Sequence, residues 1–161
     1  MEMGHWLRRD RPDGFQTLEV MNDHVLQMHR SFYASAGPHD CLQPMLFAVC
    51  KNGRVIPIMA KQGDKRDHQA FLMSMRKLFR SMNVVRYCWT GEAWGAFGGK
   101  DPATAENKVE AVFTVSVEPE RSVAMVHEIV RDWSTGRVIS LRPMTEVSGA
   151  AFTDTMGNLW A

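Results

Sequence analysis

The chain has 161 residues, 45% of them hydrophobic and 23% charged, a composition that excludes a disordered polymer and fits a single globular domain spanning 1–161. Nineteen basic against eighteen acidic residues leave a formal charge of +1, so no overall field draws the protein to nucleic acid or anionic lipid. Three cysteines are too few and too irregularly spaced for a disulfide framework, and their odd number leaves at least one free or paired between chains, so the expected compartment is the reducing cytoplasm.

Residues 1–14 form a polar lead in which Arg8, Arg9 and Arg11 have no apolar segment behind them, so neither a secretion signal nor a twin-arginine signal is expected. No window approaches the roughly 18 apolar residues of a membrane span. From Phe15 to Ser35, Leu18, Met21, Val25, Met28 and Phe32 recur at helical spacing and predict an amphipathic helix that Gly37-Pro38 stops. The apolar run Met45 to Cys50, then Asn52-Gly53, then Val55 to Ala60 predicts a β-hairpin with a type I′ turn. Pro57 lacks an amide donor, so the second of these strands lies at a sheet edge or turns its missing donor outward.

Between Lys65 and Met82, Phe71, Leu72, Met75, Leu78, Phe79 and Met82 predict a second helix, with Asn83 to end it. A strand over Val84 to Thr90 follows, carrying Val85, Tyr87 and Trp89 on one face, and Gly95 to Asn107 reads as a loop. Val109 to Val117 alternates as a half-buried strand, and Val123 to Trp133 and Val138 to Leu141 complete a three-strand meander, with Gly136 suited to the left-handed position of a bulged hairpin. The tail over 143–161 holds Phe152, Leu159 and Trp160, whose apolar surface favours docking on the domain. The order helix, hairpin, helix, strand, meander predicts an α+β fold: one mainly antiparallel sheet of about six strands, with both helices on one face.

Carboxylates and a histidine supply the candidate chemistry. Glu92, just past an apolar strand, Glu110 on the polar face of the next, and His127 in the strand after that could together run acid/base or metal-assisted hydrolysis. Ordinary cross-strand pairing explains the same residues. His127 and Glu128 are adjacent and must point to opposite faces, so at most one of them faces Glu110. His39, Cys41, Cys50 and Cys88 include zinc ligand types, yet no Cys-x-x-Cys pair occurs, and Cys50 and Cys88 read as buried thiols; no metal or other cofactor is expected. Metalloprotease, phosphate-loop, nucleophile-elbow and deaminase patterns are absent from the chain.

The segment Thr90-Gly91-Glu92-Ala93-Trp94, followed in the next strand by Lys108-Val109-Glu110-Ala111-Val112, resembles a group of uncharacterised bacterial and phage proteins that carry a Glu-Ala-Trp motif. The resemblance runs from the Asn52-Gly53 hairpin to the last hairpin. It implies a bacterial or phage origin, and brings no established activity to Glu92, Trp94 or Glu110. The approach to the second glutamate departs from the group's proline-rich pattern, with Ala105-Glu106-Asn107 in its place.

Charge is concentrated locally. Residues 51–86 hold nine basic and two acidic side chains, whereas residues 90–136 hold four and eight. Arg66, Arg76, Lys77 and Arg80 lie on the wet side of the second helix. With Trp94 they form a candidate surface for a protein partner or a second copy of the chain, and nucleic acid is the weaker alternative. The expectation is a small non-enzymatic accessory module that binds a macromolecular partner.

Overall fold

The structure, a computed structural model, describes residues 15–60, 65–96, 108–144, 156 and 158–161. The polar lead, the segment from 97 to 107 and Phe152 lie outside them. In chain order the elements are α1 (Leu18–Ser35), β1 (Met45–Cys50), β2 (Val55–Met59), α2 (Lys65–Ser81), β3 (Val84–Ala96), β4 (Lys108–Val117), β5 (Ser122–Arg131) and β6 (Val138–Pro143). The six strands form one antiparallel sheet in the order β2-β1-β3-β4-β5-β6, giving the expected α+β fold with β2 and its Pro57 at one edge.

The helices do not share a face. Met45, Phe47 and Val49 of β1 pack with Phe15, Leu18, Met21 and Val25 under α1, while Leu46, Ala48 and Cys50 pack with Met75 and Phe79 of α2. The reason lies in β1 itself. All six of its residues are apolar and buried, so both sides of the strand must be covered, and one helix cannot cover both.

Helix α1 begins at Leu18, where the Thr17 hydroxyl accepts from the Val20 amide at 3.2 Å in an N-cap. Its buried stripe is Leu18, Met21, Asn22, Val25, Leu26, His29 and Tyr33, turned from the predicted one; Met28 and Phe32 are only half-buried at its flank. Helix α2 ends as expected at Asn83, which takes the left-handed conformation at φ 51°. The β1–β2 hairpin forms, but its turn is not type I′, because among Asn52 and Gly53 only the glycine has positive φ. Gly53 donates to the Cys50 carbonyl at 2.9 Å and the Asn52 side chain accepts from the Arg54 amide at 3.0 Å. That side-chain bond holds Asn52 out of the left-handed region and leaves the positive φ to Gly53 alone.

Strand β3 runs six residues past its predicted end, so the Glu92 motif lies within the sheet, not beyond it. Gly91 does not break the strand. It sits opposite Phe113 of β4, and a Cβ at Gly91 would come within 3.2 Å of that ring, which closes over the bare backbone. Gly91→Val is therefore expected to destabilise the fold by about 1–3 kcal/mol, read as a drop in urea midpoint with unchanged m-value. An unaltered midpoint would show that the ring yields freely.

On the α2 side the C-terminal residues complete the core. Met156 and Leu159 are fully buried, and the Trp160 indole packs at 5.4 Å from the Phe79 ring and donates to the Val84 carbonyl at 2.8 Å. At the β5–β6 turn Gly136 has φ 74°, as its sequence position predicts, and the register slips between Val130 and Arg131.

Candidate functional site

Period-two alternation sends Thr90, Glu92 and Trp94 of β3 to the α1 side of the sheet, opposite Thr114, Val112 and Glu110 of β4. Glu92 and Glu110 are thus diagonal neighbours. Together with Cys41, Leu42, Gln43, Ala93 and Trp94 they line a cleft of about 260 Å³ beside the chain that links α1 to β1.

Each carboxylate is held by a different part of the fold. The Tyr33 hydroxyl at the C-terminal end of α1 donates to Glu92 Oε1, and the Leu42 amide donates to the same oxygen at 3.1 Å. Both bonds fall on Oε1, and Oε2 has no hydrogen-bond partner among the described residues. Burial, then the adjacent Glu92 carboxylate, pushes the Tyr33 phenol far above its ordinary range, so it serves as a donor throughout neutral pH. Glu110 accepts from Arg131 Nε at 2.7 Å and from its Nη2 at 3.4 Å. Arg131 is in turn fixed by the carbonyls of Gly136 at 2.9 Å and Pro38 at 3.3 Å, and the Glu110 bond holds its guanidinium charged. Trp94 extends the same face of β3, 56% exposed.

His127 does not join the two glutamates by any hydrogen bond. It lies opposite Val112 on the α1 side, while Glu128 turns to the other face and pairs with Arg142, which is the opposition expected of adjacent strand residues. Burial pushes the His127 pKa down, Arg30 of α1 pushes it further, and Asp23 offsets part of this. Its electrostatic neighbour in the core is His29. That imidazole is 3% exposed, with Nε2 2.6 Å from the Thr90 hydroxyl, which itself donates to the Phe113 carbonyl at 2.8 Å. Because the single Thr90 proton is taken by the carbonyl, His29 Nε2 carries the hydrogen and Nδ1 is a bare lone pair. Nδ1 of His29 and of His127 are both buried without a partner among the described residues.

No group of three or more His, Cys, Asp or Glu is placed to hold a metal ion among the described residues. Cys50 and Cys88 are buried on opposite faces of the sheet, whereas Cys41 is exposed at the cleft. On α2, Arg76 Nε donates to the Asn158 carbonyl at 3.3 Å and Arg80 Nη2 to the Ala161 carbonyl at 2.6 Å. Half of the candidate basic surface is thus engaged by the chain's own C-terminal residues. Arg66 is exposed on the first turn of α2 and Lys77 between the two committed arginines. No helix among the described residues is long and apolar enough to cross a membrane.

Sequence reasoning missed Tyr33, Arg131 and the Leu42 amide. A signal for Tyr33 was present, since it lies eleven residues after Asn22 and four after His29, in step with the buried stripe. Arg131 has none, because its link to Glu110 depends on the pairing of β4 with β5. No protein-family model, curated protein or solved structure matches the chain.

Proposed function

We propose that this is a small cytoplasmic accessory module of bacterial or phage type that acts by binding a protein partner, and that the Glu92–Trp94–Glu110 cleft receives a cationic side chain of that partner. The observation that carries the reading is an exposed indole beside two anchored carboxylates, one of which keeps an oxygen without a hydrogen-bond partner among the described residues. A guanidinium or ammonium group matches both the π face and the carboxylate. With Arg131 offsetting one of the two negative charges, the cleft retains a net charge of −1, enough to prefer a cation. Hydrolysis through Glu92, Glu110 and His127 has weaker support, since each glutamate is tied to a structural donor and His127 neighbours the helix α1 charges instead. Nucleic-acid binding through α2 is weakened by the commitment of Arg76 and Arg80 to the C-terminal residues.

Titration calorimetry with a blocked Gly-Arg-Gly peptide tests the reading. Saturable binding is expected, weakened about five- to tenfold by Trp94→Ala and by Glu92→Gln, the losses that one cation–π contact or one charge-assisted bond implies. Equal affinity for the neutral citrulline analogue, or no binding at all, would overturn it.

A further inference from the structure

A groove of about 390 Å³ lies between α1 and the edge strand β6, lined by Arg30, Tyr33 and Ala34 on one side and by the run from Val138 to Leu141 on the other. Its volume is in the range that admits a ring system of indole size. Where the β5–β6 register slips, Ile139 is 65% exposed at the mouth of this groove. The turn that leads into β6 presents Trp133 with 97% of its surface in water.

An indole left wholly in water forgoes the stabilisation its burial brings, and here it stands on a rigid support. The Asp132 carboxylate accepts from the amides of Ser134 at 2.8 Å and Thr135 at 3.0 Å. Gly136 donates to the Asp132 carbonyl at 2.8 Å, and Arg131 holds the Gly136 carbonyl. Docking Trp133 would therefore order one side chain and not a loop.

Charge on this face is complementary. Among the described residues, Arg30, in the groove, makes no hydrogen bond or ion pair, and Asp132, beside the exposed indole, makes bonds only within its own turn. One acidic side chain beside an exposed indole, and one arginine in a groove of the same chain, are opposite charges that a two-fold contact between identical chains can pair. Addition of a strand to β6 is a poorer use of the edge, because the irregularity at Ile139 and the proline at 143 interrupt its backbone pairing.

We propose that this face is a homodimer interface in which Trp133 of each chain enters the α1–β6 groove of the other and Asp132 meets Arg30 of the second copy. Sedimentation equilibrium of the full chain over micromolar concentrations tests it, with near-UV circular dichroism to confirm that each variant is folded. The wild type is expected to dimerise. Trp133→Ser, which removes two anchors per dimer, should raise the dimer Kd at least about 100-fold. Asp132→Asn keeps the turn's acceptor oxygen and removes only the charge, so it should weaken the dimer about tenfold, and Arg30→Gln should add little further in that background. A wild type that stays monomeric, a Trp133→Ser variant that dimerises normally, or charge effects that simply add would each overturn the interface.

Discussion

As pH falls from about 6.5 toward about 4, the protein is expected to lose about 3 kcal/mol of folding stability through the single imidazole of His29. Burial, followed by the nearby His127, lowers its pKa to about 4. A proton gained at Nδ1 would meet no acceptor among the described residues, and Nε2 is already committed as a donor to Thr90. The unfolded chain takes up this proton at an ordinary histidine pKa while the folded protein refuses it. The contribution of His29 is therefore complete above about pH 6.5, declines across the window between the two pKa values and is fully gone below the folded one. His127, also pushed down, acts in the same direction.

Urea unfolding at a series of pH values reads the slope directly. His29→Gln retains a donor toward Thr90 without the titration, and should lower the slope near pH 5 by about one proton, or about 1.4 kcal/mol per pH unit. An NMR titration of the wild-type imidazoles provides the same reading without a variant. A His29 midpoint near 6.5 would remove the argument.

The second large effect is expected at Asn22, which is completely buried under α1. Its Nδ2 donates to the Val123 carbonyl at 2.9 Å, and its Oδ1 accepts from the Ser116 hydroxyl at 2.7 Å, so one side chain ties α1 to both β4 and β5. Asn22→Ala opens a cavity and leaves the Ser116 hydroxyl without its acceptor, a loss of about 2–4 kcal/mol. If desolvated polarity dominates, Asn22→Leu combined with Ser116→Ala should recover at least half of that loss, because both partners then become apolar. A double variant as unstable as Asn22→Ala would assign the loss to packing geometry instead.

Asn22, His29 and Tyr33 also show where apolar periodicity falls short. Counting hydrophobic residues finds a helix over this segment but orients it on Met28 and Phe32, which end up half-buried. The buried face instead includes three polar side chains, each received by a polar group of the sheet: Ser116, Thr90 and Glu92. A polar residue is acceptable in a core when its partner is present, and the partners of these three lie 94, 61 and 59 residues away in the chain. The same limit applies to β3, where Thr90-Gly91-Glu92 carries no apolar alternation because one face lines a polar seam and the other is roofed by Phe113.

Features that depend on near neighbours are written in the sequence. It specified the two helices, the hairpin, the helix stop at Asn83, the left-handed Gly136, and the opposed faces of His127 and Glu128, because these follow from side-chain sterics and from periods of 2 and 3.6 along the backbone. The unbroken apolar run of β1 even contained the requirement for cover on both sides. Long-range packing sets which helix covers which face, and sets Glu92 against Tyr33 and Leu42 and Glu110 against Arg131. Those partners come from α1, a connecting segment and β5, and they converge only once the strand order β3-β4-β5 and the position of α1 across it are set. A hydrogen bond is short-ranged, so its existence depends on packing that no local pattern encodes.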